Sequence, residues 1–250
     1  MADPQAAQGE LSLGRPTARV RALLGRLDQF VTEELEPLQR KLTESGLAEL
    51  LDPDGSLPRP VWEARREVAR RSASAGLYAA HLPEDMGGAG LSRYEMQFLE
   101  EAVYRRGLGL APSMLAWTEG PSPMLAWLDS SQRERFLVPL VAGETSAAFA
   151  NTEPGAGSDV LGLTTTARRS GDDWVIDGHK AWITNAPFCD LVQVTAVTEP
   201  GAGTRSLTLF LVEADRPGFS RGPTYRTIMD DGLTGELMFD GVRVPDANRV

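Results

Sequence analysis

The chain has 250 residues, 42% of them hydrophobic and 24% charged, and a formal net charge of −10. That length suits one large or two medium domains with a real core. The negative sign repels phosphodiester backbones and anionic lipid, so nucleic acid and membrane are not expected as partners. One cysteine, Cys189, excludes an intrachain disulfide and fits a reducing, cytoplasmic compartment. The two histidines, His81 and His179, are far apart, so no metal site is expected.

The opening MADPQAAQGELSLG has neither a basic segment nor an apolar run, so residues 1–14 read as a disordered tail rather than a signal peptide. No stretch reaches membrane-spanning length. Residues 15–145 read as an all-helical domain. Val20, Leu23, Leu24, Leu27, Phe30, Val31, Leu35 and Leu38 recur at helical spacing, with Gly46 as a stop. Pro60 suits the first turn of a second helix. Ser92 to Glu95 forms a capping-box pattern ahead of Met96, Leu99 and Val103, and Ser131 to Glu134 repeats it ahead of Phe136, Leu137 and Leu140. Between the second and third helices, HLPEDMGGAGLS carries Gly87, Gly88 and Gly90, a loop whose backbone needs conformations or approaches that side chains forbid.

From residue 146 to 250 the pattern changes to short β-branched or aromatic stretches: TTTARRS, DWVIDG, KAWITN, LVQVTAV, SLTLFLV and GELMFDGVRV. Gly171-Asp172-Asp173 and Asp177-Gly178 are hairpin signals. The fold class is therefore α+β and multi-domain: an all-α N-terminal domain followed by an antiparallel β-barrel or sandwich.

The hexapeptide TEPGAG occurs at 152–157 and again at 198–203. In the first copy Thr152 offers a hydroxyl, Pro154 holds Glu153 extended, and Gly155 and Gly157 let backbone N–H groups converge on an anion. Ser158 adds a hydroxyl, and Asp159 can cap the following turn. Trp182-Ile183-Thr184-Asn185 then falls at a strand end, with indole and hydroxyl two residues apart and so on one face. Together they can hold a flat heterocycle and its phosphates. The second copy lies between strands 191–197 and 206–212, where Gly and Pro serve turn geometry alone. Singly, each residue has a plainer role: Trp182 as core, Lys180 and Asn185 as solvent or turn residues, Cys189 as an inert filler, His81 as a local hydrogen-bonding group.

FANTEPGAGSDV, followed by ARRSGDDWVIDGHKAWITN, resembles the acyl-CoA dehydrogenase flavoprotein family. HLPEDMGGAGLSRYEMQFLEEAVYR, SSQRERFLVPLVAGE, FLVEADRPGF and FDGVRVPDAN fall in that family's order and spacing. The resemblance implies FAD between a helical and a middle β domain. Phe149, Asn151, Thr152, Gly157 and Ser158 would follow the flavin and its pyrophosphate, and Trp182, Ile183 and Thr184 would border the ring. Ser158 and Thr204 would touch the thioester ligand. Tyr94, Phe98 and Leu99 are candidate walls of the acyl pocket. The implied reaction is α,β-desaturation of an acyl thioester, on CoA or acyl carrier protein, with electrons passed to an electron-accepting flavoprotein and the chain in a homo- or hetero-oligomer.

The pattern departs from the family in three places. The family's C-terminal helical bundle, which supplies the catalytic glutamate, is not represented in these residues, so no catalytic residue is assigned. Glu100, Glu101 and Glu153 read as loop and helix-surface hydrogen-bonding groups. Asn151 stands where relatives carry a small apolar residue, and YRTIMDDGLTGE (225–236) adds Asp230 and Asp231. Two rival readings remain: a non-catalytic partner subunit of a split dehydrogenase, and an oxidase or flavin monooxygenase on the same scaffold.

Overall fold

The structure, a computed structural model, describes residues 14–47, 50–52, 54–116, 119–228 and 232–250, without the side chains of Thr204 and Arg205. The expected tail, apart from Gly14, and the pair Asp230–Asp231 lie outside the described residues.

Helix α1 (Ala18–Phe30) is capped by Thr17, whose hydroxyl accepts from the Val20 N–H. A five-residue π turn, Val31–Leu35, joins it to α2 (Glu36–Glu44). Pro37 and, in the later helical pair, Pro139 each stand two residues beyond such a wide turn. Neither proline has an N–H to give the ladder, and the ladder widens just ahead of it. Gly46, at φ +89°, stops α2 as read from the sequence. Helix α3 (Arg59–Ser74) carries Pro60 in its first turn, and α4 (Arg93–Tyr104) begins with the Ser92–Glu95 capping box.

The second box is displaced from its expected place. Asp129 accepts from the Gln132 N–H and Gln132 accepts from the Asp129 N–H, at 2.8 and 3.1 Å, ahead of α5 (Ser130–Gln132) and α6 (Val138–Val141). Both pairs have the same spacing. Gln132 wins because its amide also donates to the Ala247 and Arg249 carbonyls in the β half.

The β half forms strands β1 (Ala147–Ala150), β2 (Thr166–Ser170), β3 (Asp173–Thr184), β4 (Leu191–Val197), β5 (Leu207–Glu213), β6 (Phe219–Thr224) and β7 (Thr234–Pro245). They make one curled sheet in the order β1-β4-β2-β3-β7-β6, with β5 added to β4. The sheet is mixed rather than purely antiparallel. Strand β1 runs parallel to β4 over Ala147–Ala150, and β2 meets β4 in parallel at Thr166–Val197. A long excursion, 151–190, separates β1 from β4, and such a return allows the parallel sense that a tight hairpin forbids.

Gly171-Asp172 is the expected β2–β3 hairpin, with Ser170 opposite Asp173. Asp177-Gly178 is not a turn. DWVIDG and KAWIT are one strand, β3, with a register shift against β7 at this point. Gly178 serves close packing instead, because a Cβ there would lie 2.3 Å from the Thr165 hydroxyl.

Three large clusters make most of the core, with a small fourth of Ala69, Tyr78 and Ala116. Val20, Leu27, Val61, Met96 and Leu99 belong to the helical one; Ile176, Ile183, Val194, Phe210 and Val242 to the sheet. A third joins the two halves through Leu82, Phe136, Leu140, Ala147 and Leu211. Trp62 stacked on Phe188 at 4.8 Å and an Arg66–Asp190 ion pair at 3.0 Å add to that seam.

Candidate functional site

The first TEPGAG copy leaves the end of β1 and is pinned from beneath. Glu153 and Ala156 exchange backbone hydrogen bonds at 2.9 and 3.2 Å, closing a tight turn. The Glu153 side chain points inward and accepts four hydrogen bonds: from the Thr164 N–H and hydroxyl, the Thr165 N–H and the Lys180 ammonium. Burial alone would raise this carboxyl, but those donors outweigh it and hold it down at about 2. Lys180 is fully buried. Burial pulls its ammonium below the ordinary lysine range, and Glu153 opposes the shift. Glu153 is a loop hydrogen-bonding residue as read, though buried, whereas Lys180 differs from its reading as a solvent or turn residue. A lysine that Glu153 neutralises at 2.9 Å tolerates the interior.

Beyond that anchor the loop opens outward. Gly155, Gly157, Ser158 and Asp159 are exposed, and a Cβ on Gly155 or Gly157 would meet nothing within 4 Å. Asp159 caps the next turn through the Leu161 N–H, as expected. Neither loop glycine has a positive φ. The usual structural reasons for glycine, a left-handed backbone or a crowding neighbour, are therefore missing here. In the second copy the left-handed backbone is present. Gly201 and Gly203 sit at φ +86° and +64° in the β4–β5 hairpin connection. Thr198 spends its hydroxyl on the Ser206 carbonyl and the Thr208 hydroxyl, and Glu199 is exposed. The second hexapeptide is a turn; the first has room to receive something.

Strand β3 runs beside the start of the loop. Ala181 and Trp182 bulge out of register against β7, and Trp182 takes φ +60°. A bulge re-aims side chains, and a left-handed tryptophan costs about 1–3 kcal/mol that the fold does not need for packing. The indole is 58% exposed, so Trp182 is not core, and one ring face stacks on Tyr225 at 4.2 Å. The bulge also removes the simple pleat argument that put Trp182 and Thr184 on one face. Ile183 turns its side chain into the sheet core. Phe149, exposed on β1 between buried Ala148 and Ala150, inverts the usual burial order.

Loop and strand are tied together by buried hydrogen bonds. The Ala181 N–H donates to the Thr152 carbonyl at 3.0 Å, Lys180 Nζ to the Asn151 carbonyl at 2.9 Å, and the Asn185 amide to the Ala147 carbonyl at 2.8 Å. Asn185 is fully buried at φ +65°, a conformation asparagine accepts better than most residues. Asn151 and Thr152 are thereby held against the end of β3 that carries Trp182 and Thr184, while Gly157 and Ser158 lie further along the exposed part of the loop. Thr204 belongs to the second copy's connection, and its side chain lies outside the described residues. Of the pocket-wall residues, Tyr94 is exposed and Phe98 and Leu99 are buried in the helical core.

Other candidate groups have local roles. Cys189 is buried, and burial pushes its thiol up to about 12. His81 binds the Pro121 carbonyl at 3.1 Å, and burial lowers its pKa. Sequence reasoning missed the Glu153–Lys180 pair, Asn185 as a tie, and Tyr225. The available signal was Lys180 itself, one of two lysines in the chain and set in a strand.

A helical half packed on a curled mixed sheet, with an exposed glycine loop tied to the strand that carries the exposed Trp182, defines an α+β protein. The chain belongs to the acyl-CoA dehydrogenase family. Residues 17–144 match "Acyl-CoA dehydrogenase, N-terminal domain" and residues 148–242 match "Acyl-CoA dehydrogenase, middle domain". Over 221 residues it is 33% identical to a 3-(aryl)acrylate reductase of Clostridium sporogenes, covering 86% of this chain and 57% of that protein. It is 32% identical to the human mitochondrial very long-chain specific acyl-CoA dehydrogenase, covering 88% of this chain and 34% of the other. A glutaryl-CoA dehydrogenase from Mycobacterium smegmatis, solved in complex with FADH2, superposes with a TM-score of 0.70 at 27% identity, over 93% of this chain and 55% of that one. The chain thus spans little more than half of these proteins at most.

Proposed function

We propose that these residues form the FAD-holding part of an oxidoreductase that α,β-desaturates an acyl thioester. The observation that carries this is the contrast between the two hexapeptides. In the first, Gly155 and Gly157 have neither positive φ nor neighbours around a Cβ, and the loop is tied at Thr152 to Ala181, the residue before the exposed Trp182. These residues fit a flavin dinucleotide. The N–H groups at Gly157 and Ser158, with the Ser158 hydroxyl, suit a pyrophosphate. Thr152 carries a hydroxyl with no partner among the described residues and is the donor for the ring's pyrimidine side. Trp182, Thr184, Phe149 and the Ile183 backbone suit the ring's borders, with Asn151 adjacent.

FAD, when bound, supplies the hydride acceptor for the substrate's β carbon. The chain's own residues bind and orient. A donor held rigidly at Thr152 stabilises the negative charge of a reduced ring without reorganising, which is the general basis of electrostatic catalysis. Ser158, and Thr204 across the hairpin, are the proposed contacts to the thioester. Glu153 is unsuited as the proton acceptor, since its oxygens are buried and taken by four donors. Gln97 binds Glu100, and Arg105 binds Glu101. None of these three carboxylates is offered as the base, and the reading assigns none to this chain.

The carrier is CoA or acyl carrier protein, the electron acceptor is a second flavoprotein, and the setting is cytoplasmic lipid metabolism in an oligomer. The domain divide is placed between residues 145 and 146. No helix of the described residues is long and apolar enough to cross a membrane. The test is an FAD titration of the chain. Saturable binding that Thr152→Ala weakens and Thr198→Ala leaves intact supports the reading; equal effects of the two changes refute it.

A further inference from the structure

We infer that Lys180 is a positioning residue for the cofactor loop: its buried ammonium fixes the Asn151–Glu153 backbone, and with it the direction in which Thr152 presents its hydroxyl. This deepens the flavin reading and rests on it for the identity of the ligand.

Three contacts carry the inference. Lys180 Nζ donates at 2.9 Å to the Asn151 carbonyl and at 2.9 Å to the Glu153 carboxylate, so one cation holds the residues on both sides of Thr152. The next residue on β3, Ala181, donates its N–H to the Thr152 carbonyl at 3.0 Å. Three successive loop residues are thus held by two successive strand residues. Glu153 in turn takes the Thr164 and Thr165 N–H groups, and Gly178 leaves room for the Thr165 side chain, which a Cβ there would meet at 2.3 Å. The clamp therefore spans β1, β2 and β3.

Adjacency in sequence adds a second point. Lys180 and Ala181 directly precede the Trp182 bulge. Pulling the loop onto β3 at Lys180 sets the separation between Thr152 and the indole, and with it the width available to a planar ring. The second hexapeptide keeps the turn's alanine N–H to glutamate carbonyl bond, Ala202 to Glu199 at 3.2 Å, but has no counterpart of the lysine clamp. Its glutamate, Glu199, is exposed, and its hydrogen bonds stay within the hairpin. Six identical residues thus differ in function by whether a lysine lies beneath them.

Amide hydrogen exchange on the ligand-free 250-residue chain tests the clamp without any cofactor. Lys180→Met should speed exchange at the Ala181 and Ala156 amides by about tenfold or more, the scale of one lost hydrogen bond's protection. Amides of the β4–β5 ladder, such as Phe210, should keep their protection and show that the sheet is folded. Because Lys180→Met leaves a buried carboxylate unpaired, Lys180→Met/Glu153→Leu is measured alongside; it removes both charges and carries the same expectation if the single variant fails to fold. Lys180→Arg, which keeps a buried donor and charge, should restore part of the protection. FAD is then titrated into the same chains and into Thr152→Ala. The inference expects both the Lys180 variants and Thr152→Ala to weaken FAD, but only the former to change exchange. Unchanged exchange in the Lys180 variants overturns the clamp. Faster exchange with unchanged FAD affinity overturns its link to the cofactor. Normal clamp protection with no FAD binding in any chain keeps the clamp and overturns the flavin reading.

Discussion

Acidification should remove a measurable share of stability through one side chain. Glu153 is 4% exposed, and its carboxyl is held at about 2 against an ordinary value of 4.5. A carboxyl whose pKa is depressed by folding stabilises the native state above its unfolded pKa, and that stability is lost as pH falls through the folded pKa. The gap of about 2.5 units corresponds to about 3 kcal/mol, complete above pH 5, of which about 2 kcal/mol is gone by pH 3. Other paired carboxylates contribute to the same slope, notably Asp246, held at about 2 by Arg249 and Trp174. The assay therefore compares two chains. Urea unfolding is measured from pH 7 to pH 3 for the wild type and for Glu153→Gln/Lys180→Met, which carries no charge at either position. The wild type should lose about 2 kcal/mol more than the double variant over that range. Parallel curves would refute the claim that Glu153 is a buried, ionised carboxylate in the folded protein.

Thr152→Ala should weaken FAD by about two- to tenfold, the worth of one hydrogen bond, with stability unchanged, whereas Thr198→Ala should cost about 1 kcal/mol of stability and leave FAD affinity alone; titration and thermal unfolding of the two variants check both. Gly157→Ala should leave the apoprotein's stability within about 0.5 kcal/mol, since nothing lies near its Cβ, yet lower FAD affinity. Gly201→Ala, at φ +86°, should destabilise by about 1 kcal/mol and spare FAD. Gly178→Ala should cost about 1–3 kcal/mol, because its Cβ would lie 2.3 Å from the Thr165 hydroxyl, and should also loosen the Glu153 turn as read by exchange at Ala156.

The parts legible in the sequence were those set by local chemistry. Helical spacing from Val20 to Leu35, the Ser92–Glu95 box and the Gly171 hairpin each depend on residues within a turn or two of one another, and each is where it was expected. Long-range partners decided what the sequence misplaced. The Asp129–Gln132 box prevails over Ser131–Glu134 because Gln132 reaches residues 247 and 249. Asp177-Gly178 has turn chemistry but continues a strand, since the glycine answers Thr165 across the sheet. The parallel β1–β4 pairing leaves no mark in either strand's own pattern. At the candidate site, the types of Thr152, Gly157, Ser158 and Trp182 were readable. The bulge that exposes Trp182 and the buried cation beneath the loop were not, because a lysine in a strand looks like a solvent residue until its carboxylate partner 27 positions away is seen.

The most direct measurement is a structure of the chain with FAD bound. The account expects the isoalloxazine ring bordered by Phe149, Thr152 and Trp182, with the pyrophosphate on the Gly157–Ser158 amides. A dinucleotide seated instead on the 198–203 hairpin, or on neither hexapeptide, would contradict it.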